Sequence, residues 1–199
     1  MSNDLPLVSY ILISYNQFEY IKKSFDSALA QDYQNLEIII SDDFSTDSTN
    51  DKIIELIDNS SNVNNHKIVH LRNCQNLGII GNINRAIKAS KGELIVAAAG
   101  DDLSKKYRVS ELVSYWLKHD KKHDLLYSGY QTMDLNDKPI AVVFKSLEVE
   151  PSMIQVARFG RVVPGATAAW TKRLWNKFGE IPTNSGVSED AIMSFRASL

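Results

Sequence analysis

Residues 36–47 read LEIIISDDFSTD, an apolar run that ends abruptly in acids and hydroxyls. The run Leu36 to Ser41 is short and rich in isoleucine, which is typical of a strand buried on both faces of a sheet. Three other segments share this pattern: LVSYILIS at 7–14, KIVHL at 67–71 and LIVAAA at 94–99. We therefore predict four buried strands in the first half of the chain.

Helical patterns separate these strands. Apolar residues at helical spacing lie after the first three strands, at 21–29, 53–57 and 79–87. Strands that alternate with helices imply a parallel sheet covered on both faces, which is a doubly wound α/β fold. After Asp102, a strongly amphipathic helix is expected over 109–117, and a strand over 125–130.

The last third has weaker patterns. We expect a strand at 140–144, a short helix at 153–159, an extended segment at 162–170 broken by Pro164-Gly165, and a helix at 189–199 with Ser188 as its N-cap. No repeat or linker divides the chain, so we expect a single domain over residues 1–199.

The composition argues against several classes of function. The 199 residues are 44% apolar and carry 22 basic against 24 acidic side chains, so no bulk positive field attracts nucleic acid. One cysteine, Cys74, forms no internal disulfide, and the first apolar run lacks the features of a leader or a membrane span. These observations favour a cytoplasmic chain that binds no nucleic acid.

Ligands of an open parallel sheet bind beyond the carboxyl ends of its strands. Acids and amides follow three of the predicted strands, at 14–16, 42–47 and 100–102. Two Asp pairs meeting at one sheet edge would repel each other, which favours a bound cation such as Mg²⁺ or Mn²⁺. Helix capping explains either pair alone equally well.

Several motifs in order resemble the family 2 glycosyltransferases of the GT-A fold. They are SYN at 14–16, SALAQDY at 27–33, IIISDDFSTDST at 38–49, NLG at 76–78, NRAI at 84–87, ASKGE at 89–93, AGDDL at 99–103 and Glu189-Asp190. The resemblance covers nearly the whole chain. It implies an α/β fold with a mostly parallel, doubly wound central sheet and helices on both faces.

The resemblance assigns a nucleotide site to the first half. Asp43 corresponds to the residue that binds the base, and Asn16 and Ser14 line the same pocket. A carboxylate suits this task because it accepts the imide N–H of uracil or thymine. Asn76 and Gly78 fall where the next loop approaches the nucleotide, although an ordinary loop-to-helix turn explains this glycine equally well.

The resemblance places the family's metal motif at Asp101 and Asp102. Asp102 is the expected direct ligand of Mg²⁺ or Mn²⁺, and Asp101 is its neighbour on the donor side. Ala99 departs from the motif because the family commonly has an acid there. One carboxylate together with diphosphate oxygens and water still suffices for these ions.

The resemblance makes Asp190 the catalytic base of an inverting transfer, with Glu189 beside it. The alternative is that both are first-turn acids favoured by the helix dipole, which would lower their pKa values. Gly165 and Trp170 fall on the sugar or acceptor side, although a core position suits Trp170 better. Arg196 either orients this region or has a structural role.

We therefore expect a metal-dependent inverting glycosyltransferase that moves a sugar from a UDP-sugar to a glycan or lipid-linked acceptor in bacterial surface polysaccharide synthesis. Residues 1–103 form the expected donor-binding half and 104–199 the acceptor-side half, cut short at its C-terminus. Peripheral association with the inner face of the membrane is compatible with this function. A non-catalytic nucleotide-binding module and, less favoured, a receiver-like phosphoacceptor domain remain as alternatives.

Overall fold

The computed structural model describes residues 5–62, 64–134, 136–143 and 163–199. The strands are β1 Val8–Ser14, β2 Leu36–Asp42, β3 Lys67–Arg72, β4 Leu94–Ala99, β5 Leu125–Tyr127, β6 Tyr130–Met133, β7 Pro139–Val143 and β8 Ala168–Thr171. The helices are α1 Ile21–Leu29, α2 Thr49–Asn59, α3 Gly78–Ala89, α4 Arg108–Lys118, α5 Lys172–Phe178 and α6 Glu189–Ala197, and a 3₁₀ turn covers Gly165–Thr167. The helix expected at 153–159 lies outside the described residues, as do the ends of the predicted segments at Phe144 and Val162.

The central sheet has six strands in the order β3-β2-β1-β4-β8-β5. β1 to β4 are mutually parallel, as the strand–helix alternation predicts, whereas β8 runs antiparallel to both β4 and β5. The strand predicted over 125–130 is interrupted: β5 ends at Tyr127, and β6 pairs with β7 in a separate hairpin. The doubly wound α/β prediction is confirmed.

Apolar side chains cover both faces of the sheet. On one face, α1, α2 and α4 pack on alternate residues of β1 and β2, with Tyr10 and Ile38 at the centre. On the other face, α3, α5 and α6 pack on the intervening residues, including Ile11 and Trp170. Because each strand supplies both cores, the central strands are apolar at almost every position.

Burial of β3 differs from the prediction. β1, β2 and β4 are almost wholly buried, but the residues of β3 are half-buried or exposed because β3 forms the edge of the sheet. The apolar run KIVHL therefore correctly predicts a strand, but the prediction that this strand is buried on both faces is wrong. No helix in the described part of the chain has both the length and the apolar composition needed to cross a bilayer.

Candidate active site

The ends of β1, β2 and β4 lie side by side and bring three loops together. Ser14 is opposite Asp42, and Ile13 is opposite Ala99 in the neighbouring strand. Two backbone bonds extend the sheet by one residue: Asp43 donates to the Ser14 carbonyl at 2.9 Å, and the amide that follows Ala99 donates to the Ile13 carbonyl at 2.8 Å. The expected convergence of the loops is thus present.

Asp42 does not face this site. Its side chain is fully buried and accepts hydrogen bonds from the Ser45 amide at 3.0 Å and from the Ser45 hydroxyl. The Ser14 hydroxyl also lies 3.5 Å from it. The expectation of four converging carboxylates is therefore wrong for Asp42, which closes the turn after β2.

Asp43 is also buried, but only one of its carboxylate oxygens is occupied. Oδ1 accepts hydrogen bonds from the Leu77 amide at 2.8 Å and from Asn73 Nδ2 at 2.5 Å. No hydrogen bond to Oδ2 occurs within the described residues. Asp43 therefore joins the end of β2 to the loop before α3 and keeps one oxygen for a further donor.

Asn16 connects the loop after β1 to the loop after β2. It has a left-handed backbone, with φ of 52°. Its amide donates to the Ser45 hydroxyl at 2.9 Å, and its Oδ1 accepts from the Thr46 amide at 2.9 Å. Asn16 thus holds these two loops together, and its Nδ2 makes no hydrogen bond to the described residues.

Asn76 and Gly78 shape the start of α3. Asn76 Oδ1 accepts from the Gly78 amide at 3.0 Å, and Gly78 has a φ of 72° that favours glycine. These are the features of a loop-to-helix turn. The same turn presents the Leu77 amide to Asp43, so its conformation contributes to the site in either interpretation.

Asp101 is exposed and Asp102 is half-buried in the loop after β4. Burial raises the pKa of Asp102, and the charge of Asp101 raises it further, whereas the guanidinium of Arg108 lowers it. Gly100 allows this loop to pass close to Gln17, because a Cβ there would lie 2.4 Å from the Gln17 Oε1 atom. The pair thus carries excess negative charge that a cation would relieve.

This chemistry fits a hard divalent cation, provided that the substrate supplies most of the ligands. No group of three or more potential ligand side chains occurs among residues 5–62, 64–134, 136–143 and 163–199. Within these ranges, Asp101 and Asp102 are the carboxylates offered at the end of β4. Mg²⁺ and Mn²⁺ tolerate such sites because they retain water and phosphate oxygens.

Arg108 is a component of this site that the sequence patterns do not single out. It is buried beneath the Asp101-Asp102 loop, where it donates to the Ser104 hydroxyl at 3.1 Å and to the Ala168 carbonyl at 3.4 Å. The Ser104 hydroxyl also bonds the Tyr10 hydroxyl at 2.7 Å. The sequence shows only an arginine at the start of an amphipathic helix, and its burial becomes evident in the structure.

Asp190 lies in the first turn of α6, which Ser188 caps by accepting from the Ala191 amide at 3.4 Å. Its Oδ1 is buried, and no hydrogen bond of good geometry reaches it from the described residues, although the nearby backbone amide of Gly165 lowers the pKa of Asp190. Burial, followed by the charge of Glu189, raises the pKa of Asp190 to about 6. Burial and the charge of Glu189 thus act against the lowered pKa that the helix dipole predicts.

A small cavity connects the end of β4 to the start of α6. It has a volume of about 140 Å³ and an almost wholly apolar wall that includes Ala99, Ile83 and Trp170, with Gly165 and Glu189 on the far side. Trp170 is 1% exposed and belongs to the core, as its alternative interpretation predicts, but it also borders this cavity. Gly165 and Glu189 thus line the same cavity as Ala99, the last residue of β4.

Arg196 takes no part in this arrangement. It is buried and donates to the backbone carbonyls of Gly179 and Glu180, both at 2.8 Å, so that it caps the end of α5. Of the two roles expected for Arg196, the structure therefore supports the structural one.

Solved structures of nucleotide-sugar enzymes share this fold. TarS of Staphylococcus aureus in complex with UDP-GlcNAc superposes with a TM-score of 0.75 at 18% identity, over 96% of this chain and 53% of that one. The mannosyltransferase PcManGT of Pyrobaculum calidifontis was solved with GDP-Man and Mn²⁺. It superposes with a TM-score of 0.71 at 18% identity, over 96% of this chain and 51% of that one. The chain therefore has the GT-A fold.

The family model for glycosyl transferase family 2 matches residues 9–193. The chain belongs to this family, which separates it from receiver-like phosphoacceptor domains. A characterised relative is the Escherichia coli UDP-Glc:alpha-D-GlcNAc-diphosphoundecaprenol beta-1,3-glucosyltransferase WfaP, 34% identical over 63% of this chain and 47% of its own length. The chain thus spans about half the length of this relative and of both solved structures.

Proposed function

We propose that this chain is the donor-binding and catalytic region of a metal-dependent, inverting glycosyltransferase that uses a UDP-sugar. The observation that carries the proposal is a cavity whose wall includes Ala99, shortly before the Asp101-Asp102 loop, together with Gly165 and Glu189, which lie next to Asp190. A leaving group at one wall and a base at the other are what a direct displacement at a sugar carbon requires.

Asp43 binds the base in this proposal. Its free Oδ2 accepts the imide N–H of uracil, since a buried carboxylate with one occupied oxygen presents a single acceptor. Asn16 and the backbone at Ser14 form the adjoining wall, and Asn76 and Gly78 close the pocket on the side of α3.

Asp102 would hold Mg²⁺ or Mn²⁺ directly, with Asp101 beside it. When bound, the ion offsets the negative charge that develops on the departing nucleoside diphosphate. The Mn²⁺ in the PcManGT complex supports this assignment by analogy of fold.

Asp190 acts as the base. The acceptor hydroxyl transfers its proton to Asp190 as its oxygen bonds to the anomeric carbon, and the bond from that carbon to the phosphate oxygen breaks with its electron pair leaving on the diphosphate. A single displacement of this kind inverts the anomeric configuration. A pKa of about 6 suits the role, because the group is ionised near neutral pH and is still basic enough to accept a proton.

The acceptor is a glycan or a lipid-linked saccharide of bacterial surface polysaccharide synthesis. The name of the WfaP relative supports the lipid-linked class, since that enzyme acts on a diphosphoundecaprenol acceptor. Such an acceptor places the reaction at the cytoplasmic face of the membrane, with the protein associated peripherally.

A thermal-shift screen tests the donor site. The chain is heated with UDP, GDP, CDP or dTDP, each with and without Mn²⁺, alongside Asp43→Asn, Asp102→Asn and the exposed control Asp26→Asn. UDP with Mn²⁺ should raise Tm for the parent and the control, by several degrees at saturating ligand, and should do so far less for the two site variants. Absence of any nucleotide-dependent shift in the parent would overturn the proposal.

Turnover of a donor distinguishes an enzyme from the main alternative function, a nucleotide-binding module without catalytic activity. The alanine at position 99 favours that alternative. The enzyme should hydrolyse or transfer from a UDP-sugar, and Asp190→Asn should abolish this while the UDP-dependent shift persists. A parent chain that binds UDP and turns over no UDP-sugar would support the module instead.

A further inference from the structure

A buried polar network extends from Asp43 into α3 and holds this carboxylate in one orientation. Asn73 is its central residue and is 2% exposed. The backbone amide of Asn73 donates to the Asp42 carbonyl at 2.9 Å, which fixes the Asn73 backbone. The side-chain Nδ2 of Asn73 donates to Asp43 Oδ1 at 2.5 Å. Sequence analysis did not single out this residue, because an asparagine after a strand is common in turns.

The amide group of Asn73 is held at both ends. Its Oδ1 accepts a charge-assisted hydrogen bond from Arg85, and the same guanidinium nitrogen donates to the Arg72 carbonyl at 2.7 Å. Rotation of the amide by half a turn would place its oxygen against Asp43 and its NH₂ group against Arg85, and both contacts would be repulsive. Arg85 therefore directs the Asn73 donor towards Asp43.

Asn82 anchors the other side of the network. Its Oδ1 accepts hydrogen bonds from Asn73 Nδ2 at 3.2 Å and from the Ser41 hydroxyl at 2.6 Å. Its Nδ2 donates to the Ser41 carbonyl at 2.9 Å. β2 and α3 are thus joined directly behind the carboxylate. Rotation of Asp43 would break at least one of these buried bonds.

We propose that Asn73, oriented by Arg85, is a positioning residue that sets the base selectivity of the donor site by fixing the single free oxygen of Asp43. The inference rests on the proposed function and extends it to residues that do not touch the substrate themselves. It predicts a site that prefers bases with a ring imide N–H over cytosine.

The chemistry of the two pyrimidines explains the preference. Uracil presents an N–H at ring position 3, whereas cytosine has an acceptor lone pair there and carries its donor on the neighbouring exocyclic amino group. A fixed carboxylate oxygen opposite position 3 accepts from uracil and repels cytosine. A carboxylate that is free to turn could follow the amino group of cytosine, so selectivity depends on the bonds to Oδ1.

Titration of the full chain with UDP and with CDP in the presence of Mn²⁺ tests the proposal through the ratio of the two Kd values. The parent should prefer UDP by at least about tenfold, the effect of one charge-assisted hydrogen bond. Asn73→Ala should bring the ratio close to one. The matched control is Asn84→Ala, which removes another buried asparagine of this region, bonded at 2.8 and 2.9 Å to the backbone of Ile181.

A purely structural role would lower Tm in both alanine variants and leave the UDP to CDP ratio unchanged in both. An unchanged ratio in Asn73→Ala overturns the inference while the proposed function stands. Failure of the parent to bind any nucleotide overturns the proposed function and this inference with it.

Arg85 provides a second test if Asn73→Ala does not fold. Arg85→Met removes the partner of Asn73 Oδ1 and leaves the amide free to turn, so it should reduce the ratio several-fold. Arg85→Lys retains a cationic donor and should restore most of the preference. Equal ratios in the two Arg85 variants would contradict the proposed orientation.

Discussion

The Oδ1 atom of Asp190 lies 2.6 Å from the point that a Cβ atom on Gly165 would occupy. The proposed base is therefore packed against a stretch of backbone that has no side chain. Gly165 does not have a positive φ, so a larger residue would displace the carboxylate and would not strain the backbone.

Gly165→Ala should displace Asp190 and lower turnover of a UDP-sugar by about tenfold or more, since small errors in the position of a base have large effects on rate. UDP affinity should stay within about threefold of the parent, because a Cβ at Gly165 would meet Asp190 and Glu189 and none of the proposed nucleotide-binding residues. Initial rates and UDP titration measure the two effects. Pro164→Ala alters the same turn without adding atoms near Asp190 and serves as the control; native turnover in Gly165→Ala would contradict the proposed contact.

The pH dependence of kcat/KM should report Asp190. The base must be ionised, so the rate should rise with pH and level off above a pKa of about 6. Glu189→Gln removes a charge that raises this pKa and should move the acidic limb to lower pH. Glu180→Gln, an exposed acid paired with Lys88, should leave the limb in place; a limb that does not move in Glu189→Gln would contradict electrostatic coupling of the two acids.

Restoring an acid at position 99 should strengthen metal binding. Ala99→Asp adds a carboxylate near Asp101 and Asp102, and we expect the Mn²⁺ concentration for half-maximal UDP-dependent stabilisation to fall about tenfold. Without metal, Tm should fall by ~2–4 °C for each kcal/mol of added repulsion. Ala99→Asn has a similar shape and no charge, so an equal gain in that variant would argue against a metal ligand at this position.

Arg196 should matter for stability and not for chemistry. Arg196→Ala removes two part-buried, charge-assisted hydrogen bonds to the carbonyls of Gly179 and Glu180, and we expect a loss of about 2 kcal/mol in the free energy of unfolding. Arg173→Ala removes an exposed ion pair with Asp124 and should cost less than about 1 kcal/mol. Denaturant unfolding gives both values, and loss of turnover with native stability in Arg196→Ala would indicate a catalytic role instead.

The sequence predicts the parallel half of the sheet well because the information is local. Burial on both faces makes β1, β2 and β4 almost continuously apolar, and their predicted ends agree with the structure to within one residue. The position of β8 is not encoded locally. Its insertion between β4 and β5 depends on pairing between distant segments, which no period in 168–171 reveals.

The site is predicted less completely than the fold. Asp42 and Asp43 are adjacent and chemically identical, so only the turn geometry separates the residue bonded to Ser45 from the residue with a free oxygen. The sequence does not single out Asn73 and Arg108, because burial distinguishes these two residues and a pattern of polar residues does not indicate burial. The family resemblance singles out Asp190 as the proposed base, whereas its pKa of about 6 depends on tertiary packing.

The antiparallel strand β8 also affects how the chain can fold during synthesis. β4 is complete when Ala99 leaves the ribosome, but the strand that covers its second edge follows roughly 70 residues later. In that interval the apolar strand LIVAAA has an unpaired edge, which is the usual origin of misassembly between nascent chains. Successful folding therefore depends on a late, long-range pairing, and chaperone demand should fall sharply once Thr171 has emerged.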